Sequence, residues 1–316
     1  MRDGVRKHKC ILAAVSSPIV ILAKQGSRFG PALAEAIASR GMRCDVRSID
    51  AVLDGAPVTI DDSRVTWDGI DLMRARAVFL EAPLYCWPQP STTVGLSPDP
   101  SIRAAQVRRQ REASALAISA VRIVATRTRV VNRPEAGALA ASRPVALAHL
   151  EAAGIPVHPW KLIAAPGAGA SGTIVLDVIG AERWHSPAPP APGEPCLSLG
   201  DLSGEIHGVL VIGGKVAGAT RYPSPAAWAA RQAGEFAGPE MVPSVAAEPA
   251  LAAAAGLELE VAEVWLGGDT GVRPAVLTIE AGPVLEAWDQ PLCGRVAARL
   301  AAHLIDVAAS SEGGGS

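Results

Sequence analysis

Lysine and asparagine are scarce in this chain. Its 316 residues include five lysines (Lys7, Lys9, Lys24, Lys161 and Lys215) and a single asparagine, Asn132. Arginine carries most of the positive charge, yet the net charge is only -2 and no long run has one sign. A general nucleic-acid binder, which meets phosphates with a basic patch, is excluded on that ground. The five cysteines (Cys10, Cys44, Cys86, Cys196, Cys293) form neither CxxC nor a Cys/His cluster. There is thus no zinc signature and no disulfide framework, and free thiols in a cytoplasmic protein are expected. The apolar run over residues 10–22 is broken by Ser16, Ser17 and Pro18 and is too short to span a bilayer, and no signal peptide is expected. GxSxG and HExxH are absent, and the first strand-to-helix turn, with Gly26 and Gly30, is not GxGxxG, which removes support for a serine hydrolase, a zinc peptidase or a dinucleotide-dependent oxidoreductase.

What is present reads as a folded chain. Apolar residues make up 49% of it, and its length suffices for two or three small lobes with cores of their own. The run IVILA at residues 19–23 predicts a buried strand. A glycine-containing turn (residues 24–30), a helix over residues 31–40 stopped by Gly41, and a strand over residues 44–49 complete a β-α-β unit of an open parallel sheet. A hairpin-like element over 65–72 leads to a third parallel strand at 77–80, and 85–100 reads as a Pro/Ser loop. Residues 104–124 predict a helix with an arginine-rich face. A strand follows at 130–134, a helix at 140–153, a Gly/Ala loop at 165–172 and a strand at 173–179. Hairpins are predicted across Gly213-Gly214 and across Gly267-Gly268-Asp269, then an amphipathic helix over 292–308. The stretch at 313–316, GGGS, reads as a linker.

Four segments carry a family resemblance. They are "VTWDGIDLMRARAVFL" (residues 65–80), "VVNRPEAGALAASRPVALAHLEAAGIPVHP" (130–159), "IHGVLVIGGKVAGATR" (206–221) and "AVLTIEAGP" (275–283). In that order they resemble the motifs of ATP-grasp proteins of the glutathione-synthetase and RimK-like type. The resemblance implies a mixed α/β and α+β fold: a Rossmann-like lobe over 1–125, an ATP-grasp domain of two α+β lobes over 126–309, and a linker over 310–316. It also implies ATP and Mg²⁺ as cofactors.

Carried over position by position, the resemblance assigns a candidate site with departures. Arg143 stands where the family has a phosphate-binding lysine; a guanidinium keeps the charge in a different geometry. Lys161 is the nearest candidate for a second such lysine. The Gly/Ala loop, with Gly169, Ser171 and Gly172, could offer backbone N–H groups to phosphate or be a plain surface loop. Glu280 matches the metal-binding glutamate of the family's Glu-x-Asn, but Gly282 stands at the Asn position. An ungapped match places Trp265 at the other acid. Glu263, two residues earlier on the same strand face, is the substitute, and Glu286 and Asp289 lie just downstream. Arg221 matches the arginine that offsets charge on a transferred phosphoryl; a hairpin-end salt bridge is the competing reading.

The function implied by the resemblance is an ATP-dependent carboxylate–amine ligase working through an acylphosphate. It would act on small-molecule carboxylate and amine substrates in making a metabolite, peptide or cofactor. The alternative is a degenerate ATP-grasp protein that binds a metabolite or partner subunit without turning over ATP, a pterin-type one-carbon pathway being one setting. A homo-oligomer or partner subunit stays open; nucleic acid and membrane are not expected as partners. Two observations separate the readings. Convergence of Glu263 with Glu280 favours the enzyme, and a cleft filled by Trp265 favours the binder.

Overall fold

A computed structural model describes residues 17–52, 55–82, 97, 99–163, 175–177, 185–186, 195–230, 232–268 and 274–310. Among the described residues are four sheets and eight α-helices. The predicted loop over 85–100 falls largely outside them.

The chain begins with β1 (Ile19–Ala23), α1 (Phe29–Ala38) and β2 (Cys44–Ser48). A small antiparallel sheet follows, of β3 (Val58–Ile60), β4 (Val65–Trp67) and β5 (Ile70–Asp71). Then come β6 (Ala77–Leu80), α2 (Pro100–Ala125) and β7 (Arg129–Val131). The first sheet is parallel throughout, in the order β2-β1-β6-β7. Every residue of β1 is buried, because parallel strands joined by helical crossovers are covered on both faces. Ile19 and Ile21 pack with Leu33, Ile37, Leu300 and Leu304, whereas Val20 and Leu22 pack with Trp67, Ala117 and Val121. The fourth strand, β7, extends this sheet past residue 125.

Where one helix over 140–153 is predicted, two helices cover 134–152: α3 (Pro134–Ala141) and α4 (Arg143–Ala152). Ser142 between them is extended, with φ -95° and ψ 94°. Pro144 is the cause. It has no N–H to donate to the carbonyl of Ala140, and its ring would clash with that carbonyl in a continuous helix; only a first helical turn tolerates both. A helix therefore restarts here rather than continuing.

The second lobe holds β8 (Trp160–Ile163), β9 (Val175–Asp177), β10 (His185–Ser186) and β11 (Cys196–Leu199), antiparallel in the order β10-β9-β11-β8. The third is built on a five-stranded antiparallel sheet. Its elements are β12 (Ile206–Ile212), β13 (Lys215–Tyr222), α5 (Pro225–Ala229), β14 (Glu235–Ala237), α6 (Ser244–Gly256), β15 (Val261–Gly267) and β16 (Ala275–Glu280). The order is β14-β13-β12-β15-β16, so both predicted hairpins form and lie side by side. Helix α6 was not anticipated; half of it is alanine, and the small side chains Ala246, Ala250, Ala253 and Ala254 are buried with the sheet. Last come α7 (Leu285–Asp289) and α8 (Arg295–Ser310), the latter packed on α1 and back against the first sheet. No helix among the described residues is long and apolar enough to cross a membrane.

Candidate functional site

The register of β15 on β16 sets the site. Glu263 pairs with Glu280, and Trp265 pairs with Thr278. Side chains two residues apart on a strand share a face, so all four lie on one face of the sheet. Glu263 is fully buried, although every neighbour in β15 is also buried and none of the others is charged. Arg143, the first residue of α4, enters the same place. Its side chain is 1% exposed. Its Nε donates to Thr278 Oγ1 at 3.1 Å, and its Nη2 donates to Glu280 Oε1 at 3.4 Å. The break at Ser142–Pro144 is what starts α4 at Arg143 and directs this arginine inward. The cluster thus holds two carboxyl groups and one guanidinium in a region largely shielded from water.

Asn132 fixes the two strands that carry the acids. It stands just past β7, and its Nδ2 donates to Val261 O and Ala281 O, both at 2.7 Å. Its Oδ1 accepts from the backbone N–H groups of Glu260 and Val261, both at 2.8 Å. The carboxamide is fully used, with two bonds given and two accepted. Val261 precedes Glu263 by two residues and Ala281 follows Glu280 directly, so one side chain ties the parallel sheet to both acid-bearing strands. The only signal in the sequence was that the chain's one asparagine falls in "VVNRP".

Beside the polar cluster lies an aromatic block. Trp265 is fully buried, with ring centroids 5.5 Å from Trp228 and 5.8 Å from Tyr222. Its indole lies over Gly208, where an added Cβ would come within 2.8 Å of the ring and of Thr220 Cγ2. Glycine at 208 is thus required by the close approach of the indole to the sheet. Trp228 comes from α5, which Ser224 caps by accepting from Ala227 N–H at 3.1 Å. The position that an ungapped match aligns with a family acid is therefore occupied by a packed indole.

The other candidate residues are dispersed. Arg221 lies in β13 next to Thr220, so alternation turns it to the opposite face from Trp265 and the two glutamates. It is half-exposed and bonds to Glu205 at 3.2 Å and to Glu235. Those carboxylates, the Glu235 hydrogen bond foremost, push its pKa further up. Arg221 is not brought to the Glu263–Glu280 pair. Lys161 is exposed on β8, opposite Ser198. Gly169, Ser171 and Gly172 lie outside the described residues. Glu286 and Asp289 line a hollow of about 260 Å³ with Arg28, Phe29, Ala32 and Gln290 rather than joining the buried pair.

Magnesium is usually held by one or two carboxylates, with phosphates and water supplying the remaining oxygens. Glu263 and Glu280 provide that number, so the residues fit one such ion shared with a nucleotide. Among the described residues no group of three or more His, Cys, Asp and Glu side chains could hold a metal unaided.

No family model matches the chain, and no curated protein matches it in sequence. Solved structures do match, along nearly its whole length. The ATP-grasp ligase PsnB, complexed with minimal precursor, Mg and ADP, superposes with a TM-score of 0.69 at 20% identity, covering 92% of this chain and 98% of that one. The macrocyclase MdnC from Microcystis aeruginosa MRC, bound with precursor peptide MdnA, gives 0.65 at 12% identity over 92% and 99%. A RimK domain protein from Sphaerobacter thermophilus gives 0.54 at 15% identity over 91% and 99%. The chain has the ATP-grasp fold, as the four sequence segments implied.

Proposed function

We propose that this protein is an ATP-dependent carboxylate–amine ligase of the ATP-grasp type whose carboxylate substrate is carried on a peptide. The observation that carries this reading is the register that sets Glu263 against Glu280 on one buried face, beside a cationic Arg143, within this fold. The peptide part draws on the solved neighbours: PsnB and MdnC are complexed with precursor peptides, and the ligase from Chryseobacterium gregarium with ADP and a leader and core peptide. In a reaction of this class a carboxylate oxygen attacks the γ-phosphorus of ATP and ADP leaves. An amine then attacks the acylphosphate carbon and inorganic phosphate leaves. Magnesium, when bound, offsets charge on the phosphates. Glu263 and Glu280 would hold it, Arg143 would add a fixed positive charge, and the closed face would keep water out. Lys161 and the loop bearing Gly169, Ser171 and Gly172 are the proposed further phosphate contacts.

A second reading has its own observations. The guanidinium of Arg143 is already engaged by Glu280, and Trp265 fills the face beside it. These favour a protein of ATP-grasp fold that binds a peptide or metabolite without turning over ATP. Calorimetry with ATP, with and without Mg²⁺, joined to an ADP-release assay on peptides bearing Asp or Glu side chains plus an amine donor, decides between them. ADP release that needs the peptide carboxylate and is lost in Glu280→Gln supports the ligase. Absence of ATP binding at millimolar concentration sinks it.

A further inference from the structure

The break between α3 and α4 carries a consequence for the acid pair. We propose that Arg143 is a built-in cation that competes for Glu280, so that the Glu263–Glu280 pair takes a divalent ion only together with a phosphate ligand and not alone.

The geometry gives Arg143 a hold on Glu280 that a free ion lacks. Its backbone is set by the first turn of α4, its Nε is anchored on Thr278 Oγ1 at 3.1 Å, and its Nη2 lies 3.4 Å from Glu280 Oε1. A tethered cation loses no translational freedom on reaching its partner, whereas an incoming ion does. Arg143 is also nearly inaccessible to water. An ion arriving at Glu280 by itself would have to sit beside the guanidinium or displace it. In the first case two cations lie together, and in the second the guanidinium gives up its bond to Glu280; both are costly where water is excluded. A phosphate changes the balance. It supplies acceptor oxygens that a guanidinium engages with two parallel hydrogen bonds, so Arg143 can leave Glu280 without losing a counter-charge. Glu280 is then open to the metal that the same phosphate binds. Metal and phosphate therefore enter as one ligand, and the carboxylate pair does not load with metal in the empty protein.

This rests on the reading of the face as a nucleotide site only for the phosphate part; the exclusion of free metal stands or falls separately. The probe is Mn²⁺, which carboxylate oxygens also hold and whose free form is counted by its electron paramagnetic resonance signal. The full chain is titrated with Mn²⁺ alone and, in a second series, with Mn²⁺ and ADP, corrected for the Mn–ADP complex formed in buffer. Wild type is expected to leave Mn²⁺ free in the first series and to bind it in the second. Arg143→Met is expected to bind Mn²⁺ without ADP, at least about tenfold more tightly than wild type, because a unit positive charge next to the site is gone. Arg143→Met/Glu280→Gln should lose that binding again. Should Arg143→Met fail to fold, Arg143→Gln is measured in its place, since it keeps a donor for Glu280 without the charge. Equal affinity of wild type and the neutral variant for Mn²⁺ alone overturns the proposal, as does wild type binding Mn²⁺ equally well with and without ADP. A protein that passes the first series yet releases no ADP from any peptide keeps the metal exclusion and loses the ligase reading.

Discussion

Two arginines sit on opposite faces of the same sheet region, each beside glutamates, and they are not equivalent. Arg221 is 49% exposed between Glu205 and Glu235, while Arg143 is 1% exposed against Glu280 and Thr278. The exposed cluster has the shorter contacts, yet water screens it and long side chains must be immobilised to form it. The buried cluster has a longer ion pair, but Arg143 has no water to fall back on and Glu280 has little. Contact length is thus a poor guide to which arginine matters; the cost of removing its partner is a better one.

The comparison is broken most directly by truncation. Arg143→Ala should destabilise the fold by about 3–5 kcal/mol, as expected when one member of a buried ion pair is removed. Urea unfolding with an unchanged m-value would check it. A loss no larger than that of a surface mutation would mean Glu280 finds another partner and the buried cluster is unimportant.

Asn132→Ala sharpens the same contrast, since Asn132 holds the strands that carry the acids. It leaves backbone groups of Glu260, Val261 and Ala281 without their partner, for an expected cost of about 2–3 kcal/mol. Hydrogen exchange should quicken at the start of β15 and the end of β16 before it does in β1. Uniform quickening would show that Asn132 is not a local clamp.

A smaller effect comes from pH and contrasts two partly buried acids. Burial pushes the Glu260 carboxyl up, but the His303 hydrogen bond and the Arg129 charge outweigh it, leaving the pKa below its ordinary 4.5. Glu81 has the opposite balance. Burial dominates its bonds from Ser27 Oγ and Lys24 N–H, so its pKa is raised above 4.5. A depressed carboxyl contributes stability present above 4.5 and lost as pH falls through the folded value. A raised one contributes stability present below 4.5 and lost as pH climbs through the folded value. Glu260→Gln should therefore flatten the acid limb of the stability curve, and Glu81→Gln should steepen it. Identical limbs for both variants and wild type would refute these directions.

The smallest effect belongs to Arg221→Ala, which should move the melting temperature by no more than about 2 °C, and less still in high salt. A drop as large as that of Arg143→Ala would erase the distinction between the two clusters.

Much of this architecture was legible before any coordinates. The β-branched run at 19–23 and the Gly-Gly turn at 213–214 are local signals, and each produced the expected element. Period-two alternation also put Glu263 and Trp265 on one face. Helix α6 escaped notice because an alanine-rich helix buried by close approach has little hydrophobic contrast around its axis. Pro144 marks the restart of a helix in the sequence, but that the preceding residues are helical too is settled by the packing of α3.

The amino-acid sequence by itself determined the first β-α-β unit, the hairpin strands and the relative facing of residues along each strand. All of these follow from backbone sterics and from polar/apolar alternation within a few residues. Only the tertiary structure decided which charges meet. Arg143 and Glu280 are 137 residues apart, and Asn132 and Ala281 are 149 apart. Their pairing depends on how α4 and β7 are laid against β15 and β16. That packing also turned a candidate phosphate ligand and a candidate metal ligand into partners of one another, because in a face closed to water an unpaired charge is too costly to keep.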